Sequence, residues 1–303
     1  MVRKDEIMKK IISIIILMVL IITGCSTVEK PNDSSGEKLI VYTSFYPLNF
    51  LAEEIGGTNI DLRMVIPNGV DSHDYEPSMK QLKNIEEADI FIYNGAGFEN
   101  WADKLIGTII DEDKALKASD EVKLIETNGI ADPHIWLNPQ NMNKIGEKIK
   151  DRLIFLDEKN KDEYEKNFNE LSKRLNELDN QFLKKLEHKN KDAILVSHAA
   201  FAYMAERYDF DQISVAGISP EQEPSPKTIA NIIEIVKEED YEYIFLETLA
   251  NPKTVDIIAE ETDLKTIILN PIEGLTEGEQ TSGEDYISIM YNNLENLKKA
   301  LVN

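Results

Sequence analysis

The chain has 303 residues, a length that accommodates one large domain or two of ordinary size. Hydrophobic residues make up 42% and charged residues 29%, a composition typical of a globular protein and unlike that of a disordered chain. The 33 basic and 56 acidic residues give a net charge of −23, which argues against a nucleic acid partner because phosphate binding needs a basic surface. The single cysteine excludes a disulfide framework within one chain and a cysteine-rich metal cluster.

The N-terminus has the features of an export signal. Two lysines precede an apolar stretch over residues 11–22, which is too short to span a bilayer comfortably. Residues 22–25 (ITGC) resemble the bacterial lipobox, in which the cysteine becomes lipid-modified and forms the new N-terminus. We therefore predict a lipoprotein signal peptide over residues 1–24 and lipid attachment at Cys25. The polar, aperiodic residues 25–37 are expected to form a flexible tether.

From residue 38 onward, short apolar runs alternate with helical patterns. This alternation predicts an α/β protein with mostly parallel sheets flanked by helices. Strands are predicted at residues 39–43, 61–66, 89–93, 193–196, 213–215, 243–246 and 266–269. Helices are predicted at residues 47–55, 78–88, 98–106, 199–208, 225–238, 252–261 and 283–301. The halves share this plan without a sequence repeat, so we expect two lobes of similar architecture over residues 38–157 and 191–303.

The strongest helical pattern lies between the two lobes. Seven apolar residues recur there at spacings of three and four: Tyr164, Phe168, Leu171, Leu175, Leu178, Phe182 and Leu186. Glycine and proline are absent from residues 147–216, so nothing in the sequence interrupts the pattern. We predict one long linking helix over residues 158–190. A rigid helical connection of this kind would permit only small relative motion of the two lobes.

Three of the four histidines lie just beyond strand ends or before helices, where α/β proteins bind their ligands. His73 follows the strand at 61–66, and His134 leads into a helix. His198 follows the strand at 193–196, whereas His188 lies at the polar end of the long helix and is expected to be solvated. Neutral imidazole is a common ligand of zinc and other late first-row metals. The three histidines therefore predict a metal site between the lobes.

A carboxylate would complete a tetrahedral site with three imidazoles. Glu273 follows the last predicted strand, and Glu247 follows the strand before it. Both residues therefore reach the same edge of the predicted sheet. We assign Glu273 as the fourth ligand, with Glu247 as its competitor.

These residues together resemble a known family, the metal-binding lipoproteins of zinc and manganese ABC transporters. The matching segments, besides the lipobox at Cys25, are residues 72–78 (SHDYEPS), 132–139 (DPHIWLNP), 196–201 (VSHAAF), 245–248 (FLET) and 269–275 (LNPIEGL). The resemblance covers nearly everything from Cys25 to the C-terminus. It implies two α/β lobes, a rigid backbone helix and one metal ion in the cleft.

The resemblance also implies a function. The chain is expected to be an exported, high-affinity zinc-binding lipoprotein on the outer face of the bacterial cytoplasmic membrane that delivers Zn²⁺ to an ABC permease. Zinc binders of this family typically carry histidine at the third ligand position, where manganese binders carry glutamate, and this chain has His198. Three nitrogen ligands likewise favour zinc over manganese.

Two alternatives stay open at this point. Many zinc members carry a histidine-rich loop before the Asp-Pro-His motif, but residues 111–131 contain no histidine, so Mn²⁺ remains an alternative cargo. A lipoprotein adhesin on the same fold is the alternative function. The fourth ligand also varies across the family, so Glu247 or water remains an alternative to Glu273.

An enzyme is not expected. The sequence contains no His-Glu-x-x-His and no Gly-x-Ser-x-Gly motif. Residues 94–98 (NGAGF) contain Gly-x-Gly without a third glycine, which predicts a tight turn and not a phosphate-binding loop. We expect a monomer that binds a metal ion, a membrane through its lipid and a permease.

Overall fold

The structure is a computed structural model. It describes residues 38–127, 129–220, 224–239, 241–249 and 251–303. The predicted signal peptide, the tether and Cys25 lie outside the described residues. No helix in the described part of the chain is both long enough and apolar enough to cross a bilayer.

The first lobe contains a four-stranded sheet in which every strand runs parallel. Its strands are β1 (Leu39–Thr43), β2 (Ile60–Met64), β3 (Ile90–Tyr93) and β4 (Ala115–Lys117), in the order β2-β1-β3-β4. Strand β3 has the sequence IFIY and is buried along its whole length, as expected for a strand covered on both faces. A short antiparallel hairpin, β5 (Glu126–Thr127) and β6 (Ile130–Ala131), follows this sheet.

The second lobe repeats this topology. Strands β7 (Ala193–Val196), β8 (Asp211–Ser214), β9 (Tyr243–Leu246) and β10 (Lys265–Ile268) form a parallel sheet in the order β10-β9-β7-β8. Counted in chain order within each lobe, both sheets read second, first, third, fourth. The prediction of two α/β lobes with parallel sheets is therefore confirmed.

Ten α-helices lie among the described residues. They are α1 (Tyr46–Gly56), α2 (Met79–Glu86), α3 (Asn100–Leu105), α4 (Pro139–Leu156), α5 (Lys161–Lys185), α6 (Ala202–Tyr208), α7 (Pro226–Glu239), α8 (Lys253–Thr262), α9 (Glu277–Ser282) and α10 (Tyr286–Leu301). The single helix predicted over 283–301 was wrong in its start. Gly283, with a φ of 73°, ends α9, and the Asp285 side chain caps α10 by accepting from the Ser288 N–H.

The long helix α5 links the lobes, and it is shorter than the predicted 158–190. Residues Glu158–Asn160 form a turn of 3-10 helix, and Leu186 leaves the helix, so α5 has 25 residues and a length of about 37 Å. Its apolar stripe packs against α1 and α4 of the first lobe and against α10 of the second. His188 lies beyond its end and is exposed, as predicted.

One hydrophobic core runs through both lobes, and each sheet has a smaller cluster on its other face. Its largest members come from both halves of the chain: Phe45, Trp136, Tyr164, Phe182, Phe201, Phe245 and Tyr286. Lobes joined by a large apolar interface do not move freely against each other. The core therefore fixes the cleft between the carboxyl ends of the two sheets.

Candidate metal centre

Four side chains meet in the cleft: His73, His134, His198 and Glu273. Each offers one ligand atom, and these four atoms lie within 4.8 Å of one another. His73 and His134 come from the first lobe, after β2 and β6, whereas His198 and Glu273 come from the second lobe, after β7 and β10. The structure thus brings together the four residues that the sequence analysis named as ligands.

The spacing of the four atoms fits one tetrahedral ion. Zn–N distances of about 2.0–2.1 Å would place any two ligand atoms about 3.4 Å apart. The Nε2 atoms of His134 and His198 are 3.3 Å apart, and His73 Nε2 lies 3.2 Å from Glu273 Oε1. The same Oε1 lies 3.7 Å from His134 Nε2 and 3.8 Å from His198 Nε2. These four separations lie within about 0.4 Å of the tetrahedral value. All four ligand atoms lie within 4.8 Å of one another, so contraction of the widest separation around an ion would complete the coordination shell.

The site is shielded from solvent, and its titratable groups respond to one another. His134 and His198 are fully buried, and Glu273 is 8% exposed. Burial opposes ionisation of Glu273, but the hydrogen bond from His73 and the three imidazoles outweigh it and lower the pKa of Glu273. Burial likewise opposes the charge on His73, but the hydrogen bond and charge of Glu273, together with the charges of Asp71 and Glu247, outweigh burial and raise the pKa of His73. For His134, burial prevails over Asp132 and lowers the pKa, which favours the neutral imidazole that binds metals.

Glu247, the competing fourth ligand, lies outside the cluster of ligand atoms. Its Oε1 accepts a hydrogen bond from His198 Nδ1, the ring nitrogen that faces away from the site. Strand β9 pairs with β7, so a residue directly after β9 stays beside His198 instead of entering the cleft. Glu273 comes from the neighbouring strand β10 and reaches the cleft through a longer loop.

The loop that carries His134 depends on residues that the sequence analysis did not assign to the site. Asn94 Nδ2 donates to the Pro133 carbonyl at 2.8 Å, and Tyr203 Oη donates to the Asp132 carbonyl at 2.9 Å. Trp136 Nε1 donates to the Pro271 carbonyl at 2.7 Å, which ties this loop to the loop of Glu273. Among these residues, Trp136 within DPHIWLNP could have been recognised from the sequence as a supporting residue. A tryptophan that is fully buried, as Trp136 is, needs an acceptor for its N–H.

A buried carboxylate also shapes the turn beside the site. Glu99 is 1% exposed and accepts hydrogen bonds from the N–H groups of Asn94 and Gly95, and burial raises its pKa. These contacts hold the predicted tight turn, in which Gly95, Ala96 and Gly97 all have positive φ. Phe98 at the end of the turn packs edge-on against the ring of His73, with centroids 5.0 Å apart. The turn therefore supports a site residue without contributing a ligand.

The loop that carries Glu273 is strained and contacts the first lobe. Ile272 has a φ of 59°, a conformation that costs a β-branched residue on the order of 1–3 kcal/mol. Ile272 is completely buried, and its N–H donates to Asn270 Oδ1 at 2.7 Å. Across the cleft, the Leu275 N–H donates to Asn68 Oδ1 at 3.1 Å. Packing and these hydrogen bonds therefore set the position of Glu273, and the intrinsic backbone preference of the loop residues does not.

A buried, nitrogen-rich donor set divided between two α/β lobes is the architecture of a metal-binding solute-binding protein. Residues 41–300 match the family model described as "Zinc-uptake complex component A periplasmic". The chain belongs to this family, which confirms the resemblance. Members of this family are components of a zinc-uptake complex, and the family is not one of enzymes.

Three relatives illustrate this membership. The chain is 34% identical to the high-affinity zinc uptake system protein ZnuA of Bacillus subtilis (strain 168), over 93% of this chain and 94% of ZnuA. It is 33% identical to the zinc-binding lipoprotein AdcA of Streptococcus pneumoniae, over 93% of this chain but only 59% of AdcA. The crystal structure of the Zn(II)-bound ZnuA-like domain of AdcA matches with a TM-score of 0.79 at 34% identity, covering 88% of this chain and 100% of the domain.

The third relative is the laminin-binding protein Lmb of Streptococcus agalactiae, a bifunctional protein with adhesin and metal-transporting activity. Its structure matches with a TM-score of 0.80 at 32% identity, over 87% of this chain and 99% of Lmb.

Proposed function

We propose that this protein captures one Zn²⁺ ion outside the cytoplasm and delivers it to the permease of a zinc uptake system. The observation that carries the proposal is the buried cluster of His73, His134, His198 and Glu273, whose ligand atoms lie within 4.8 Å of one another. Three imidazoles and one carboxylate are a donor set that zinc accepts in tetrahedral geometry. Membership of the zinc-uptake family supports the same function.

The donor set favours zinc over manganese as the cargo. Manganese prefers more oxygen ligands, whereas imidazole nitrogen suits zinc, and three of the four donors here are nitrogens. Metal analysis of the purified protein, followed by competitive titration with Zn²⁺ and Mn²⁺, tests this choice. We expect one tightly bound Zn²⁺ per chain. Preferential binding of Mn²⁺ would overturn the assignment of the cargo.

Alanine variants test the ligand assignment. His73→Ala, His134→Ala and His198→Ala should each weaken zinc binding severely. His188→Ala is the matched control because His188 is exposed and lies beyond the end of α5. An equal loss of zinc binding in the control would show that the cleft is not the site.

We further propose that Cys25 carries the lipid anchor and that the protein acts as a monomer beside its permease. The lipobox-like sequence ITGC at residues 22–25 supports the anchor, and the donor set, which is complete within one chain, supports the monomer. Diacylglyceryl modification would supply two acyl chains, enough for stable attachment. A Cys25→Ala form should be released from the membrane or accumulate as an unprocessed precursor. Light scattering of the zinc-loaded protein should give the mass of one chain.

Adhesion is the second candidate function, favoured by the similarity to the bifunctional protein Lmb. Binding of the purified protein to immobilised laminin tests it, with the zinc-free and zinc-loaded forms measured side by side. Zinc-dependent growth of a deletion strain tests the transport function independently. A strain that grows normally under zinc limitation, combined with strong laminin binding, would favour adhesion as the main role.

A further inference from the structure

Two carboxylates stand directly behind two of the three histidines, outside the cluster of ligand atoms. Asp132 Oδ1 lies 2.9 Å from His134 Nδ1, and Glu247 Oε1 lies 2.5 Å from His198 Nδ1. Asp132 is 4% exposed and Glu247 is 5% exposed, so solvent does not compete for these contacts. A buried carboxylate needs such a partner, and each has one on a metal-site histidine.

These contacts determine which nitrogen of each ring carries the proton. A carboxylate accepts the Nδ1–H and leaves the lone pair on Nε2, the nitrogen that faces the cleft. The Nε2 atoms of His134 and His198 are 3.3 Å apart, so two lone pairs converge on one position. The hydrogen bond to a carboxylate also makes the imidazole a better donor to a metal ion.

Both carboxylates are themselves held in place. Asp132 Oδ1 also accepts from the backbone N–H of His134 at 2.9 Å, so a single oxygen fixes both the loop and the ring. Glu247 Oε1 also accepts from the hydroxyl of Ser197, which precedes His198. The two carboxylates come from different lobes. Asp132 contacts the ring of His134, and Glu247 contacts the ring of His198.

His73 provides an internal comparison. Asp71-Ser72-His73 repeats the Asp-x-His spacing of Asp132-Pro133-His134, and Asp71 Oδ1 accepts from the His73 N–H at 2.9 Å. Among the described residues, however, no carboxylate forms an ion pair with His73 Nδ1. Asp71 lines a cavity of about 190 Å³ beside the site, and it lines a second, smaller cavity together with Glu247 and Glu273. The same sequence motif therefore orients one imidazole ring and leaves the other without a carboxylate behind it.

We propose that Asp132 and Glu247 are positioning residues for zinc, which fix the tautomer and orientation of His134 and His198 and strengthen their binding of the ion. This inference rests on the proposed function. His134 and His198 form the preorganised half of the site, and within the described part of the chain His73 lacks a carboxylate at Nδ1. Asp71, despite its matching motif, has no such role.

Zinc affinity measured by competition with a chelator tests the proposal in three variants of the full chain. Asp132→Asn and Glu247→Gln should each weaken zinc binding about 10- to 100-fold, the usual effect of losing a carboxylate behind a metal-bound histidine. Asp71→Asn is the matched control, because it also removes one negative charge near the site and keeps an oxygen that can accept from the His73 N–H. We expect it to weaken zinc binding less than threefold, since no ring contact is lost.

The protonated nitrogen provides a readout that a merely structural role would not change. Long-range ¹H–¹⁵N spectra of the zinc-free wild type should show protonated Nδ1 in His134 and His198. Glu247→Gln should alter the His198 signals alone, and Asp132→Asn the His134 signals alone. Unchanged circular dichroism and thermal unfolding would separate these effects from a folding defect.

The outcomes also separate the two proposals. A wild type that does not bind zinc would overturn the proposed function itself. If the wild type binds zinc and the Asp132→Asn and Glu247→Gln variants bind it with the same affinity, only the positioning role would be overturned. An equal loss of affinity in Asp71→Asn would also overturn it, because a general charge effect would then explain the data.

Discussion

Trp136 Nε1 donates a hydrogen bond to the carbonyl oxygen of Pro271 at 2.7 Å, and this contact joins the two loops that carry His134 and Glu273. The indole is completely buried, and Tyr286 Oη donates to the Trp136 carbonyl at 2.6 Å from α10. One side chain of the first lobe thus fixes the position of a ligand from the second lobe.

Trp136→Phe should destabilise the zinc-free protein and loosen the site, because the Pro271 carbonyl would be left buried without a donor. Trp101→Phe is the matched control, since the Trp101 N–H is buried and has no hydrogen-bond partner among the described residues. We expect Trp136→Phe to lower the free energy of unfolding by about 1–3 kcal/mol more than Trp101→Phe does. Denaturant unfolding measures both, and equal effects would show that the Trp136 hydrogen bond contributes little.

Glu273→Ala should leave measurable zinc binding through the three histidines but weaken it at least tenfold, or about 1.4 kcal/mol. It should also speed zinc dissociation, because Glu273 supplies the one charged ligand of the cluster and lies on a strained loop beside Ile272. Stopped-flow release of zinc to a chelator measures the rate. Glu277→Ala, an exposed carboxylate of the same segment, is the control. Wild-type affinity and kinetics in Glu273→Ala would remove Glu273 from the site.

Zinc binding should weaken as the pH falls below neutrality. His73 has a pKa raised above its ordinary value of 6.5, because Glu273 and the neighbouring carboxylates outweigh the effect of burial, so protons compete with zinc for His73 at a higher pH than they do for a free imidazole. Glu273 has a lowered pKa and stays ionised over this range, whereas His134 has a lowered pKa and competes with zinc only in stronger acid.

Calorimetric titration in two buffers of different ionisation enthalpy checks this expectation. Between about pH 6 and pH 7.5, binding should release protons, and the Glu273→Gln variant should release fewer because His73 loses the partner that raises its pKa. An affinity that stays flat from about pH 7 to pH 4.5 would show that histidines do not dominate the site.

Zinc loading should change the overall shape very little. Helix α5 packs against both lobes, and the main core is continuous between them. Arg174 on α5 also bridges Glu54 of the first lobe, at 2.6 Å, and Asp285 of the second, at 2.9 Å. Solution scattering of the zinc-free and zinc-loaded forms should therefore give the same radius of gyration, about 18 Å for a compact unit of this size. A decrease of several ångströms on loading would contradict the rigid connection.

The sequence predicted β1, β3, β7 and β9 most directly, because these strands are short, continuous apolar runs that are largely buried. Strand β4 escaped detection because it has only three residues, Ala-Leu-Lys, of which one is buried. The end of α5 was placed too late because Leu186 continues the apolar stripe, although its backbone has already left the helix. An apolar side chain can pack on the core from a turn as well as from a helix, so periodicity alone does not locate a helix end.

For the metal centre, the residue types were predictable but their separate roles were not. Glu247 and Glu273 both follow strands of one sheet, and only the strand order shows that Glu247 is adjacent to His198. Likewise, Asp71 and Asp132 occupy identical positions in two Asp-x-His motifs, yet only Asp132 contacts a histidine ring. The direction of a side chain from a loop depends on tertiary contacts, such as that of Tyr203 with the Asp132 carbonyl.

The equal division of the four ligands between the lobes has a consequence for release of the cargo. Each lobe alone is a bidentate chelator. Only the two lobes together form the tetradentate site that encloses the ion. Coordination distances tolerate deviations of only about 0.2 Å, so a slight parting of the lobes is enough to divide the chelator into two weak halves. A protein that resists large motion can therefore still exchange its ion, because the displacement of the lobes that separates the ligands is much smaller than the displacement in a domain closure.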